Sequence, residues 1–362
     1  MKRIIKVRRL LKKNKRWLPV LAAAIVGLTA AGVLAGTQII NSSRSKLQVT
    51  ECTGNLAEDF KCWRTRYQEL VNGDSPMAAI DDARKNFESS QYIRTNCHQL
   101  AHVIGRTAGK KFKDVSTAYT KGDDWCASGY YHGVMQAVAD EIGAASITKK
   151  IDEICKPLEK LAIYGLKHYN CVHGLGHGVM AIHNNELFKS LEVCRILSGE
   201  WQQDSCYSGV FMENVIAEID PDHHTEYLKA DDPLYPCTAV DEEYRRVCYF
   251  VQTDHALIVE KADFKKVFDL CLGLEKAEYS VSCYQSLGRN SSSYARYNPE
   301  ITKDTCLLGA STKAQENCFI GATNDFVWYF HGDSQVTEMC GLLSGSLRDA
   351  CTKSANDYNA LL

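Results

Sequence analysis

DFKKVFDLCLGLEKAEYSVSC, residues 263–283, contains the pattern from which the fold is predicted. Apolar residues recur at helical spacing up to Cys271, and Gly273 and a short polar stretch follow. A second helical segment begins near Cys283. We therefore predict two helices joined by a tight connection, and a disulfide between the two cysteines would close that end of the hairpin.

Cysteine couples of the same kind recur through the second half of the chain. They are Cys194/Cys206, Cys237/Cys248, Cys271/Cys283, Cys306/Cys318 and Cys340/Cys351. The second cysteines of successive couples are mostly about 35 residues apart, which is the length of a two-helix repeat. Alternating Val/Ile/Thr-rich segments are missing, so we predict an all-α fold. Its expected architecture is a helical-hairpin repeat array, either an α-solenoid or a closed α/α toroid, cross-linked by intra-repeat disulfides.

The other cysteines indicate the compartment. The chain has 16 cysteines and no CxxC pair, which argues against zinc ribbons, thioredoxin-like redox sites and c-type haem attachment. The remaining candidates for bridges are Cys52/Cys62, Cys97/Cys126 and Cys155/Cys171. So many paired cysteines predict an oxidising, extracytoplasmic compartment, periplasmic or extracellular.

The first forty residues predict a membrane anchor. Residues 1–17 form a basic tail with nine Lys/Arg and no acid, and residues 18–40 carry no charge. This apolar segment is long enough for a transmembrane helix, and the preceding charges place the N-terminus in the cytoplasm. A cleaved signal peptide is the alternative. We expect a juxtamembrane cap over 41–75 and the repeat domain over 76–362.

The charge of the remaining chain argues against nucleic acid as a partner. Beyond residue 40, 33 Lys/Arg face 44 Asp/Glu, which gives a net charge of −11. Affinity for nucleic acid depends largely on basic side chains that neutralise phosphates. The overall composition, 45% hydrophobic and 24% charged, is that of a globular protein with a core.

A glycine follows several cysteines at the same offset of three positions. The glycines are Gly129, Gly174, Gly209 and Gly321. Because glycine weakens an isolated helix, its repetition inside helices predicts close approach between neighbouring backbones.

Two families resemble parts of this pattern. The period is similar to that of tetratricopeptide and Sel1-like helical hairpins. Trp125-Cys126, His132-Gly133 and His173-Gly174 resemble short motifs on the inner helices of lanthionine-cyclase-like α/α toroids. The second resemblance implies a toroidal enzyme whose terminal units meet. We transfer no catalytic residue from either family.

Five histidines keep register with the predicted repeat. His98 and His102 are four residues apart, as are His173 and His177, so each pair lies on one helix face. His132 has the same offset from its cysteine as His177. Such pairs can bind one ion with both rings, and imidazole donors suit copper, iron or zinc. We therefore predict a transition-metal site formed by His98, His102, His132, His173 and His177.

The predicted repeats that follow carry other polar residues at positions corresponding to those of the histidines. Among these, Glu213, Asp254 and His255 are candidate acids, bases or further ligands. The expected function is metal-dependent redox or hydrolytic chemistry on a small molecule or exported peptide. The alternative is a non-catalytic scaffold that binds a cell-envelope protein, in which the histidines are core residues bonded to backbone carbonyls.

Overall fold

The computed structural model describes residues 49–126, 128–159, 165–216, 225–330 and 334–360. The predicted basic tail (1–17) and transmembrane segment (18–40) lie outside the described residues. Within the described ranges, no helix combines the length and the apolar character needed to cross a membrane.

The described residues confirm the prediction of an all-α fold, since they form helices and no strand. The helices are α1 (Phe60–Gly73), α2 (Pro76–Ser89), α3 (Gln91–Phe112), α4 (Val115–Tyr119), α5 (Gly129–Ile142), α6 (Ala144–Ile154), α7 (Lys156–Glu159), α8 (Leu166–Ile182), α9 (Leu187–Cys194), α10 (Glu200–Ile216), α11 (Glu242–Val251), α12 (Thr253–Val259), α13 (Phe264–Leu272), α14 (Ala277–Tyr294), α15 (Pro299–Cys306), α16 (Thr312–Phe330), α17 (Ser334–Gly341) and α18 (Gly345–Asn359).

Short polar side chains fix where several helices begin. The hydroxyl of Ser75 accepts a hydrogen bond from the backbone N–H of the third residue of α2, and Ser90 does the same for α3. The carboxylate of Asp263 and the amide oxygen of Asn298 cap α13 and α15 in the same way. Each cap satisfies a backbone donor that has no partner inside the helix.

All sixteen cysteines lie in eight pairs at disulfide distance, as the sequence predicts. In four of them the first cysteine lies in the last turn of a short helix and the second lies in the following longer helix. These are Cys194–Cys206, Cys271–Cys283, Cys306–Cys318 and Cys340–Cys351. The pairing supports an oxidising environment.

The longer helices pack against one another in chain order. α3 contacts α5, α5 contacts α8, and α8 contacts α10; further on, α14 contacts α16 and α16 contacts α18. Helices distant in sequence also meet: the Phe87 ring lies 6.4 Å from that of Tyr329, and the Tyr169 ring lies 5.2 Å from that of Trp328. At the N-terminal side, α1 packs on α2 and α3, and Arg66 forms an ion pair with Asp82.

The predicted close approach at the repeated glycines is confirmed. A Cβ atom at Gly209 would lie 2.0 Å from the carbonyl oxygen of His173, and one at Gly321 would lie 1.8 Å from that of Gln285. A Cβ atom at Gly133 would likewise lie 2.1 Å from the carbonyl oxygen of His102. Any larger side chain would force these helices apart, so glycine sets the spacing between neighbouring long helices.

Candidate metal centre

Five imidazole rings from three neighbouring helices converge in the interior. His98 and His102 lie on α3, His132 on α5, and His173 and His177 on α8. Adjacent ring centroids are 4.6–5.4 Å apart. All are buried except His98, which is partly exposed. The structure thus brings together all five residues of the predicted metal site, while their binding of a metal stays a prediction.

The glycines next to the histidines make this convergence possible. Gly133 follows His132 directly and lets α5 approach the backbone of α3 at His102. Gly209 lets α10 approach α8 at His173. With the backbones this close, rings from adjacent helices reach one another across the interface.

The α3 pair presents two ring nitrogens to each other. His98 Nδ1 lies 3.0 Å from the carbonyl oxygen of Cys126, and His102 Nδ1 lies 3.4 Å from Gln136 Oε1. Both partners are acceptors, so each Nδ1 carries the proton and each Nε2 carries a lone pair. The two Nε2 atoms are 3.1 Å apart.

The α8 pair repeats this arrangement with different acceptors. His177 Nδ1 donates to Glu213 Oε2 at 2.5 Å, and His173 Nδ1 lies 2.7 Å from Ser208 Oγ. The Ser208 hydroxyl donates its own hydrogen to the carbonyl of Ser205, so it accepts from the imidazole. The two Nε2 atoms are again 3.1 Å apart.

With both Nδ1 atoms protonated, the two Nε2 lone pairs of each pair face each other at 3.1 Å and can share a cation; with one ring in the other tautomer, the same contact is an N–H···N hydrogen bond. Ligand nitrogens that bind one zinc ion at ~2.0–2.1 Å in tetrahedral geometry are about 3.3 Å apart, close to the spacing of both pairs. Hydrogen-bond acceptors on Nδ1 are also the usual way in which proteins orient an imidazole ligand toward a metal. Each pair therefore has the geometry of a two-nitrogen chelate.

His132 lies between the two pairs. Its ring is 2% exposed, and neither nitrogen makes a hydrogen bond with any residue that the structure describes. A buried polar atom without a partner is destabilising, and such atoms are rare in folded proteins. Both nitrogens are therefore available for another kind of bond.

Burial favours the neutral form of four of the five rings. Desolvation lowers the pKa of His98 to about 4, and it lowers the pKa values of His102, His132 and His173 well below the ordinary value of 6.5. Repulsion from the neighbouring imidazoles acts in the same direction. The neutral form is the one that binds metals, so these rings are competent ligands at neutral pH.

Glu213, a predicted acid or base, touches the cluster directly. Its carboxylate is buried, accepts the Nδ1 proton of His177, and accepts the Gln136 amide at 3.1 Å on both oxygens. Gln136 in turn contacts His102. One hydrogen-bonded network therefore links the α3 pair to the α8 pair and places a buried carboxylate beside the imidazole rings.

The two other candidate residues have different surroundings. His255 is buried and its Nε2 lies 3.0 Å from the carbonyl of Lys229, so it is bonded to the backbone. Burial raises the pKa of Asp254, and the nearby charge of Arg289 partly offsets this shift. Burial raises the pKa of Asp325 to about 7, and the charges of Arg289 and Asp254 also act on this carboxyl group. The charge of Arg289 also contributes to the lowered pKa values of His98 and His173, for which desolvation is the largest cause.

Of the acceptors that orient the rings, only Glu213 is among the residues singled out from the sequence. Gln136 lies four residues after His132, on the same face of α5, and this helical spacing could have identified it. Ser208 and the carbonyl of Cys126 carried no comparable signal, because their positions depend on how the helices pack.

Comparison with known proteins does not add a family to this description. No protein-family model, no curated protein and no solved structure matches the chain.

Proposed function

We propose that this chain is an extracytoplasmic transition-metal protein whose five clustered histidines bind copper, iron or zinc. The observation that carries the proposal is the pair of Nε2···Nε2 contacts of 3.1 Å, in which each Nδ1 already has an acceptor. A core histidine retained only for packing needs no such arrangement. The donor set, imidazole without free thiolate, favours these metals over magnesium or calcium.

The proposal places the metal centre in a membrane-anchored chain with residues 18–40 as a single transmembrane segment and an N-terminus in the cytoplasm. The uncharged length of that segment and the basic residues before it support this topology. The paired cysteines support a body outside the cytoplasm.

We further propose that the helical hairpins form a repeat array closed into an α/α toroid. The chain-order packing of the long helices supports a repeat, and the two ring contacts of α16, with α2 and with α8, favour closure over an open solenoid. In such a toroid the inner helices would present the histidine cluster toward a central space.

The chemistry proposed for the centre is redox or hydrolytic and acts on a small molecule or exported peptide. Three or more nitrogen ligands can leave an open coordination position for a substrate or water. The carboxyl group of Asp325, with its pKa of about 7, is suited to exchange a proton near neutral pH.

Metal analysis of the purified protein tests the proposal. After anaerobic reconstitution with each of copper, iron and zinc, we expect at least one tightly bound equivalent of one metal. The variant His102→Ala/His177→Ala should lose it, whereas His183→Ala, which alters a buried histidine outside the cluster, should keep it. Binding of less than about one fifth of an equivalent of every metal would overturn the proposal, since imidazole clusters bind first-row ions readily. The non-catalytic scaffold would then be the better description.

A further inference from the structure

We propose that the centre holds two metal ions and that His132 bridges them; this inference rests on the proposed function. The donor atoms of the cluster form three overlapping groups of three, and none of these groups contains all five rings. One group is His98, His102 and His132, and another is His132, His173 and His177; within each, the donor atoms lie within 4.8 Å of one another. His132 alone belongs to both.

This grouping does not suit one ion bound by all five rings. Nitrogens bound to the same ion at ~2.0–2.1 Å are at most about 4.2 Å apart. Among the described residues, the donors that come within 4.8 Å of one another do so in threes. Each chelating pair therefore has an ion of its own, with His132 as the third ligand in both cases.

A third group, His102, His177 and Glu213, has a simpler explanation. The Glu213 carboxylate already accepts the His177 Nδ1 proton and the Gln136 amide. It therefore acts as the hydrogen-bond acceptor of a ligand, and its negative charge balances part of the charge of the ions.

His132 has the position and the chemistry of a bridge. Its ring centroid lies 5.3 and 5.4 Å from the rings of the α3 pair, and 4.6 and 4.9 Å from those of the α8 pair. The other four rings each use Nδ1 in a hydrogen bond, whereas both nitrogens of His132 lack a partner among the described residues. An imidazole can bind two metals, one through each nitrogen.

Bridging requires that the ring lose its N–H proton. Each ring nitrogen of His132 then donates one electron pair to one ion, and the proton leaves to solvent as the second ion binds. Two divalent ions supply the positive charge that stabilises the resulting anion. Each ion has three nitrogen ligands, which leaves a position open for a substrate. Copper(II) and zinc(II) are the ions that suit this donor set.

Titration of the metal-free chain with copper(II) tests the bridge. We expect two tightly bound equivalents per chain and an electron paramagnetic resonance signal much weaker than two isolated copper(II) ions give, because a bridging imidazolate couples their spins. The variant His132→Ala should give a signal that accounts for all the copper it retains. His183→Ala is the matched control and should behave like the wild type.

Two double variants keep the test decisive if His132→Ala does not fold. His98→Ala/His102→Ala and His173→Ala/His177→Ala should each bind one equivalent with a full signal. One equivalent in the wild type, or two equivalents with a full signal, would overturn the bridge and leave the proposed metal centre intact. No bound copper, zinc or iron would overturn both.

Discussion

Replacement of Glu213 by glutamine tests how the protein orients its histidines. The buried carboxylate accepts three contacts: one from His177 Nδ1 at 2.5 Å and two from the Gln136 amide at 3.1 Å. Glutamine has the same shape but only one accepting oxygen, and its NH₂ group would face a donor. The substitution therefore leaves a buried donor unpaired, which costs ~1–3 kcal/mol.

The expected consequence is weaker metal binding. Loss of the acceptor that orients an imidazole ligand typically lowers metal affinity ~10–100-fold, equivalent to about 1.4–2.7 kcal/mol. The affinity is measured by competition with a chromophoric chelator on wild-type and variant protein, with folding checked by circular dichroism. Glu141→Gln is the control, since that side chain is 67% exposed and lies outside the cluster. A Glu213→Gln variant whose affinity stays within twofold of the wild type would refute this role for the carboxylate.

Three further predictions concern packing, cross-links and protonation. Gly133→Ala should lower the free energy of unfolding by ~1–3 kcal/mol, because its Cβ would lie 2.1 Å from a backbone carbonyl oxygen. Gly341→Ala is the control and should be neutral, because nothing lies within 4 Å of its Cβ position. If urea denaturation gives the two variants equal stability, the close packing at Gly133 is contradicted. Removal of the Cys271–Cys283 disulfide as the double alanine variant should destabilise the chain by about 3 kcal/mol, the value expected for a loop of this size, and an unchanged urea midpoint would count against it. The metal-free protein should lose stability as the pH falls from about 6.5 toward 4, because histidines of the unfolded chain bind protons in this range and the buried rings do not. His98 alone accounts for about 3 kcal/mol of the free energy of unfolding. A free energy of unfolding that does not change across this pH range would be inconsistent with its lowered pKa.

Much of the fold could be predicted because its signals are local in sequence. The spacing of Cys271 and Cys283 indicates a helix, a connection and a second helix within some twenty residues. The structure confirms both helices and the cysteine pairing. The glycine three residues after a cysteine indicated close helix packing, which Gly209 and Gly321 confirm. These features depend on one hairpin and its neighbour.

The candidate site was only partly predictable. The spacing of four residues places His98 beside His102 and His173 beside His177 in any helix. The position of His132 between the two pairs depends on the distances and angles among three helices, which no local pattern encodes. The acceptor role of Glu213 is also a tertiary property. The catalytic roles predicted for Glu213, Asp254 and His255 stay predictions.

X-ray absorption at the zinc K-edge of the zinc-loaded protein shows which atoms bind the metal. We expect a shell of nitrogen ligands at ~2.0–2.1 Å with the outer scattering of imidazole rings, and no sulfur at about 2.3 Å. A spectrum that requires sulfur, or an oxygen shell without imidazole scattering, would contradict the assignment of the five histidines as metal ligands.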